Sequence, residues 1–509
     1  MSNISSLSSR YFSKLKSNFI MLFSNMIMAF LVPKSLGPVM YGVFDFVTEF
    51  FFNVLNFLQL GTQNAFYTKY SKNQSDNKII IYYIKFVFIT IVFSFIVVFL
   101  LYAFSLQNFF WPGINTKYVL MGLIFSIFTL IIADLKLLND AAGLTVKSEK
   151  ILVYQKSFGA IIILILYYFF VIDIETFFIY HYSIMIFLMF GWLSLIKNSI
   201  DPFNEKINKE DIKNYSLRFY NYSRPLFIYS VITLICDIGD RLILQFFSGS
   251  IEQGYFGFAY RISGICFIFT SAMTPLLLRE FSIAFKQKNI EDIAKLFRNN
   301  IPLLYFIGAY FCLFFVFNSR SIIEIIGGSE YMLGYTTFVI MCFYPIQQSY
   351  GQLSTSLYYA TNQTELYKNI AVSVSILGLF TTFILIGSES YGGFNLGSTG
   401  LAIKKISNQF IGVTVGLYFN MKFLNLSFTK YMGHKFLVVI ILSFLSFLSQ
   451  LLISNLISNI YLIILLSGMM YTLFVLILIY IYPRIIARNK RDIEQALLSF
   501  KSFIFNNND

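Results

Sequence analysis

Residues 79–103 read IIIYYIKFVFITIVFSFIVVFLLYA, an apolar run interrupted by a single charge, Lys85. A helix needs about 20 apolar residues to cross a bilayer, so this stretch is long enough for one crossing. The same composition extends over the whole chain, in which 57% of the 509 residues are hydrophobic and 12% are charged. Soluble proteins carry about twice that charged share, which excludes a soluble globular enzyme. The sequence therefore predicts an integral membrane protein.

Further apolar runs predict fourteen transmembrane helices and an all-α polytopic fold. The predicted spans are residues 18–38, 44–65, 79–103, 118–138, 151–172, 176–196, 226–246, 255–278, 301–326, 332–357, 366–387, 397–418, 435–455 and 459–482. No loop between them is long enough to form a domain. The two longest cytoplasmic segments, 197–224 and 279–300, mix both charge signs and are expected to form short surface helices.

The distribution of basic residues predicts the orientation. Of the 38 lysine and arginine residues, 29 fall in segments that are cytoplasmic if the N-terminus is inside, and only Lys34, Lys117 and Arg320 fall in outer loops. This asymmetry follows the positive-inside rule at every turn, so both termini are expected in the cytoplasm. The same asymmetry explains the net charge of +13, because basic residues on the cytoplasmic side set the topology and contact anionic lipid headgroups. A nucleic-acid partner is not needed to explain this charge. The abundance of Phe, Ile, Lys and Asn is typical of an AT-rich genome, and we expect a bacterial cytoplasmic membrane.

A short internal repeat predicts the domain organisation. Gly42-x-Phe44-x-Phe46 at the start of span 2 recurs as Gly254-x-Phe256-x-Phe258 at the start of span 8, 212 residues later. An even number of intervening spans keeps the orientation, which is typical of parallel repeats, although a match this short can also arise by chance in a Phe-rich chain. The repeat predicts two lobes, an appended helix pair and an interfacial tail. These are residues 1–197, a cytoplasmic linker 198–225, residues 226–422, an accessory pair within 423–482, and a cytoplasmic tail 483–509.

Charges inside the predicted spans indicate where a ligand would bind, because each costs several kcal/mol unless it faces water, a partner or a ligand. Five of them lie roughly 8 to 13 Å below the outer surface at 1.5 Å per residue. They are Glu49, Arg241, Arg261, Lys404 and Lys405. The 212-residue offset makes Glu49 equivalent to Arg261. The second lobe sets four cations against Asp237 and Asp240, which favours an anionic ligand.

Structural roles compete with this hypothesis. Asp237 and Arg241 are four residues apart on one helix face and could neutralise each other. Lys404 and Lys405 are adjacent and point about 100° apart, so at most one of them is expected to face a cavity. Lys85 and Lys156, about two turns from the cytoplasmic edge, either extend their ammonium groups to the headgroups or receive a phosphate group of the substrate.

The sequence predicts neither a metal site nor a cofactor. Its four cysteines form no CxxC pair, and His181 and His434 lie too far apart in sequence for a local metal motif. No GxxxxGK[ST] loop is present, so direct use of ATP is not expected. With no long outer loop to carry catalytic groups, a transporter is favoured over an enzyme.

Several short motifs resemble one known family, the O-antigen and polysaccharide-repeat flippases of the MATE-like MOP exporter superfamily. In the first lobe these are Leu36-Gly37-Pro38-x-x-Tyr41-Gly42-x-Phe44, Leu60-Gly61-Thr62 and Lys69-Tyr70. In the second they are Asp240-Arg241-Leu242-Ile243-Leu244, Gly254-Tyr255-Phe256 and Ala259-Tyr260-Arg261-Ile262. The resemblance also covers the number of spans, their orientation and the brevity of the loops.

The resemblance implies both a fold and a function. The fold is a V-shaped bundle of two parallel six-helix lobes with a central cationic cavity, followed by two C-terminal helices. The function is the translocation of undecaprenyl-diphosphate-linked oligosaccharides from the inner to the outer leaflet, for O-antigen or capsule synthesis. The implied partners are membrane lipids and polysaccharide polymerase or assembly proteins. Arg241 and Arg261 match cationic cavity positions of the family, and Lys404 and Lys405 match by helix only.

Two other functions remain open from the sequence. A MATE-type exporter of drugs or organic cations would have the same fold, but it should carry an acidic cavity, whereas the second lobe is net positive. A polysaccharide polymerase or membrane glycosyltransferase would also be rich in helices, but it would need a long outer loop.

Overall fold

The computed structural model of the chain describes residues 7–59, 62–72, 76–200, 207–223 and 227–490. Within these ranges the regular elements are helices, without a strand. Apolar segments in lipid adopt this form because a helix satisfies every backbone N–H and C=O within the segment itself. The predicted all-α fold class is therefore confirmed.

The chain forms two compact units, Met1–Gly257 with Thr382–Gly397, and Phe258–Thr381 with Ser398–Asp509. The helices that lie in the first unit, or begin there, are α1 (Leu7–Gln59), α2 (Thr62–Lys72), α3 (Lys78–Ala103), α4 (Gln107–Phe110), α5 (Thr116–Ala141), α6 (Thr145–Phe169), α7 (Ile174–Ser199), α8 (Lys209–Ser223) and α9 (Phe227–Gly264). The remaining helices are α10 (Ile268–Lys286), α11 (Ile290–Phe317), α12 (Ser319–Ile326), α13 (Tyr335–Met341), α14 (Tyr344–Ala360), α15 (Thr364–Ile386), α16 (Gly397–Phe423), α17 (Phe428–Ser454) and α18 (Ile460–Ile481).

These units are not the predicted lobes, because α9 begins in the first unit and ends in the second. The compact units are defined by packing and the predicted lobes by a sequence repeat, so the two divisions need not coincide. The predicted division at residues 198–225 therefore stays a prediction. In the first unit α1 packs against α5 and α6, and α7 packs against both of these. In the second, α11 packs against α10, α14 and α17, and α18 covers α17.

Nine helices in the described part of the chain are long and apolar enough to cross a membrane. Some predicted spans are interrupted. The predicted span 332–357 is divided between α13 and α14, where Pro345 occupies the first turn of α14. The predicted span 255–278 is divided by a 3-10 turn at Ile265–Phe267. The number of fourteen crossings therefore stays a prediction.

The predicted surface segments are partly helical. In the linker, α8 lies against α2 and α3, and the Lys78 ammonium contacts the Asp211 carboxylate at 3.0 Å. Hydrogen bonding from Lys78 holds the pKa of Asp211 below its usual range. The segment 279–300 forms no separate helix, because α10 and α11 meet there across a short turn. Of the predicted interfacial tail, Pro483–Ile486 forms a 3-10 turn, and residues 491–509 lie outside the described residues.

Two glycines kink α1 and α9 in the same way. Gly37 has φ 67° and ψ 169°, and Gly249 has φ 75° and ψ −172°. Backbone in this region is almost restricted to glycine, because a Cβ atom would clash with the chain. The two kinks are 212 residues apart, the spacing of the Gly-x-Phe-x-Phe motifs. A shared backbone kink at this spacing supports an internal repeat more strongly than the short sequence match does.

The two motifs also contact each other within the first unit. An ideal Cβ on Gly42 would lie 1.8 Å from the Ser250 carbonyl oxygen, and one on Gly254 would lie 2.0 Å from the Pro38 carbonyl oxygen. Pro38 and Ser250 are themselves 212 residues apart, so each copy of the motif makes the same contact with the other. Small residues permit such close backbone approach between membrane helices.

Candidate functional site

Arg241 is the best defined of the predicted site residues, and it is ion-paired. It lies on α9 and is 9% exposed. Its Nη1 is 3.0 Å from Asp45 Oδ2 and donates a hydrogen bond to Gln253 Oε1 at 2.9 Å. The guanidinium also lies 4.8 Å from the centre of the Phe256 ring. Asp45 and Phe256 belong to the two copies of the repeated motif, so Arg241 connects them.

This pairing differs from the one that the sequence suggested. Asp237 is half-buried one turn before Arg241, but the guanidinium contacts Asp45, which lies almost 200 residues away in sequence. Asp240 is buried, and the Thr382 hydroxyl donates to its Oδ1 at 2.6 Å. Asp45 balances the charge of Arg241 at the helix crossing, so removing either partner would unbalance the charge there. The role of Arg241 in binding substrate stays a prediction.

Arg261 and Glu49 differ in exposure, although the repeat makes them equivalent. Arg261 is exposed near the end of α9, and the neighbouring Tyr260 ring lies 5.9 Å from that of Tyr344. Glu49 is half-buried on α1. An exposed arginine on a predicted membrane span is the feature that the substrate-binding hypothesis requires, since a ligand can reach it.

The two adjacent lysines of α16 diverge, as their spacing predicts. Lys404 is 5% exposed, and Lys405 is half-exposed. Lys404 lies against α15, where a Cβ on Gly378 would come within 2.7 Å of its Cε. Asn408, one turn further along α16, donates to the Val374 carbonyl at 3.1 Å. Gly378 therefore makes room for a buried cation in the second unit.

The two lysines that are predicted to lie near the cytoplasmic edge also differ from each other. Lys85 is exposed on α3, and Lys156 is half-buried on α6. An exposed lysine near a helix end is typical of a side chain that extends to the headgroups. For neither lysine does the surrounding structure identify a phosphate-binding site, so that hypothesis stays a prediction.

A buried carboxylate in the first unit, Asp134, lies outside the set of predicted site residues. Its oxygens accept hydrogen bonds from Gln59 Nε2 at 3.0 Å, from Gln63 Nε2 at 3.0 Å and from the Tyr83 hydroxyl at 2.9 Å. The ammonium of Lys136, two residues further along the chain, lies 4.0 Å from the Glu149 carboxylate. The signal in the sequence was the pair of glutamines at the end of an apolar run, since buried amides need partners.

We expect Tyr83→Phe to destabilise the protein by about 1.5–3 kcal/mol, because it removes one of three donors from a buried carboxylate. Detergent-induced unfolding measures the change. The matched control is Tyr82→Phe, which removes a hydroxyl that pairs with Ser216 at 3.1 Å. The control removes a bond between neutral groups and should cost about 0.5–1.5 kcal/mol. Equal losses in both variants would contradict a specific role for the carboxylate.

These helices and buried charges together define a multi-pass helical membrane protein. No family model matches the chain, and no curated protein matches it. Several solved structures of transporters are similar to it.

One similar structure is the lipid II flippase MurJ in an inward closed conformation, with a TM-score of 0.64 and 17% identity over 92% of this chain and 98% of that one. Another is a multidrug resistance MATE family transporter of the MOP superfamily in an inward-facing conformation, with a TM-score of 0.60 and 12% identity over 80% of this chain and 95% of that one. A third is a MOP superfamily transporter from Pyrococcus furiosus, described as having a binding pocket of reversed polarity, with a TM-score of 0.52 and 12% identity over 82% of this chain and 97% of that one. At such identities the similarity shows the fold alone: this chain has the fold of MOP superfamily transporters. These neighbours are described as a flippase and as transporters.

Proposed function

We propose that this protein is a flippase that moves a diphosphate-linked lipid oligosaccharide from the inner to the outer leaflet of a bacterial cytoplasmic membrane. The finer assignment is an undecaprenyl-diphosphate-linked repeat unit for O-antigen or capsule synthesis. The fold shared with a lipid II flippase over 92% of the chain supports the general class. The sequence motifs support the polysaccharide branch.

The observation that carries the proposal is the exposed Arg261 on a predicted membrane span. A diphosphate carries about two negative charges, which cannot cross hydrocarbon without compensation. Arginine binds phosphate oxygens through two parallel N–H···O bonds, which are stronger than bonds between neutral groups. In this proposal Arg261 binds the diphosphate, the sugars stay in a polar passage, and the polyprenyl tail stays in lipid.

The other predicted site residues take different roles. Lys404 and Lys405 add positive charge in the second unit, and Glu49, Asp237 and Asp240 supply acids that could release the substrate or bind a coupling cation. Arg241 supports the site through its ion pair with Asp45. No covalent step is required of any of them.

We expect Arg261→Ala to slow flipping of a fluorescent undecaprenyl-diphosphate disaccharide in proteoliposomes by about tenfold or more, since one charge-assisted bond is worth about 1.5–3 kcal/mol. In a complementation assay the variant should abolish surface polysaccharide while protein level and membrane insertion stay normal. Arg261→Lys should retain part of the activity, because it keeps the charge and loses only the bidentate geometry.

The matched control is Arg279→Ala, which removes an arginine whose side chain is 62% exposed. It should flip at the normal rate. Full activity of Arg261→Ala would remove Arg261 from the site. A MATE-type exporter remains the alternative, and it would be indicated if the proteoliposomes moved an organic cation such as ethidium and failed to flip the lipid.

A further inference from the structure

The second unit contains a cavity of about 550 Å³ between α11, α13, α14, α16 and α17. Ligand pockets in proteins have about 300–1,000 Å³, with mostly apolar walls and a few polar groups that fix orientation. Here the polar side chains of the wall are Gln347, Ser407 and Lys435. The other lining residues are apolar or aromatic, including Tyr305, Phe343, Phe410, Phe436 and Val439.

Lys435 is the unusual member of this wall, because it is a buried cation that contacts an amide and two aromatic rings. It is 3% exposed, and its ammonium donates to Gln347 Oε1 at 3.0 Å. The remaining contacts are with aromatic faces, 4.6 Å from the centre of the Tyr350 ring and 5.7 Å from that of Tyr305. In the part of the chain that the structure describes, no carboxylate lies within ion-pair distance of it.

This environment leaves the ammonium incompletely satisfied. A lysine has three N–H donors, and one is used by the amide of Gln347. Cation–π contacts offset part of the lost hydration, but a buried charge normally has an ionic or metal partner. An anion that entered the cavity would supply that partner.

The rest of the cavity requires that this anion carry an apolar tail. Phe410, Ile411 and Phe436 line the cavity and are 37%, 47% and 54% exposed, so it opens at the protein surface. The helix α17 is long and apolar enough to cross a membrane, and α16 contains the predicted span 397–418. A surface formed by these two helices is therefore expected to meet acyl chains. A soluble anion would leave the apolar walls without a partner, whereas an amphiphile would cover both parts.

The depth of Lys435 indicates which membrane leaflet supplies the amphiphile. The helix α17 begins at Phe428, so Lys435 lies about 10 Å along its axis. The basic-residue distribution predicts that this end is cytoplasmic. Basic pockets between membrane helices on that side bind the headgroups of anionic lipids.

We propose that this cavity binds one anionic phospholipid of the inner leaflet, with its phosphate on Lys435 and one acyl chain along the wall formed by Phe410, Ile411 and Phe436. The site is distinct from the proposed substrate residues and does not require the protein to be a flippase. The bound lipid would hold α17 against α11, α14 and α16.

Native mass spectrometry of the purified full chain tests the proposal with two lipids that have the same acyl chains, palmitoyl-oleoyl-phosphatidylglycerol and palmitoyl-oleoyl-phosphatidylcholine. We expect one tightly bound phosphatidylglycerol, at least about tenfold preferred over phosphatidylcholine. Lys435→Met keeps the side-chain volume and should weaken that binding by about tenfold or more. Lys430→Met, an exposed lysine on the same helix, is the matched control and should bind normally.

Two further arms distinguish a lipid site from a misfolded variant and from a substrate site. Ile411→Trp fills the tail region and should reduce binding while Lys435 is intact, which covers the case in which Lys435→Met fails to fold. Undecaprenyl diphosphate is added as a competitor. Equal binding by Lys435→Met and Lys430→Met would overturn the proposal, and so would Lys435-dependent binding of undecaprenyl diphosphate in preference to phosphatidylglycerol, because the cavity would then belong to the transported lipid.

Discussion

Arg241→Ala is expected to lower the free energy of unfolding by about 3–5 kcal/mol, the usual cost of removing one partner from a buried ion pair. The cost is high because Asp45 is 1% exposed and would keep a charge without this cation beside it. Gln253 Oε1 would also lose the hydrogen bond that the guanidinium donates to it. Both effects act at the crossing of α1 and α9, so we expect the loss of the whole crossing rather than a local change.

Titration with sodium dodecyl sulfate, followed by a thiol-reactive fluorophore, measures this change. The probe suits the protein because Cys236, Cys266, Cys312 and Cys342 are buried thiols, which react only as the structure opens. Arg279→Ala is the control, because Arg279 pairs with Glu280 at 3.5 Å on the surface. An exposed pair should be worth less than about 1 kcal/mol. The double variant Asp45→Ala/Arg241→Ala should lose less than the sum of the two single variants. Equal stability of Arg241→Ala and Arg279→Ala would refute the structural role of the pair.

Gly42→Ala and Gly254→Ala should each destabilise the protein by about 3 kcal/mol or more, at the upper end of overpacking costs. The added methyl would lie 1.8 Å from the Ser250 oxygen in the first variant and 2.0 Å from the Pro38 oxygen in the second. Both obstacles are backbone atoms of the opposing helix, which cannot rotate away as a side chain would. The helices would have to separate, which would also lengthen the ion pair between Asp45 and Arg241.

The same unfolding titration applies, with Gly433→Ala as the matched control. Gly433 lies within α17, and a methyl group added there would meet no described atom within 4 Å apart from the backbone of α17 itself. Alanine is favoured over glycine in a helix by about 0.8–1.0 kcal/mol, so the control should be neutral or stabilising. If Gly42→Ala and Gly254→Ala behave like this control, the close contact between the two motifs does not exist in the membrane.

Much of the fold could be predicted because membrane helices leave a strong local signal. The runs at 79–103 and 118–138 lie within α3 and α5, and the run at 151–172 overlaps α6. Predicted boundaries failed where a proline or a 3-10 turn interrupts an apolar run, as between α13 and α14. Hydropathy does not register such interruptions, since the residues on either side remain apolar.

The candidate site was less predictable, because side-chain partners are set by packing. Asp45 stood inside the repeated motif, yet nothing near it in sequence indicated Arg241 as its partner. Lys435 is the first residue of the predicted span 435–455, at the expected membrane edge, whereas the structure buries it beside a cavity. Lys404 and Lys405 were predicted to diverge from helix geometry alone, and they do so.

The sequence by itself determined that this protein lies in a membrane, that it is helical, and how far apart the copies of its repeat are. Each of these depends on local composition or on positions along one chain. Only the tertiary structure decided which buried charges neutralise each other, how closely the two glycine motifs approach, and where a buried lysine lines a cavity. Those features depend on helices that are distant in sequence and adjacent in space, and a pattern along one helix carries no information about the side chains of its neighbours.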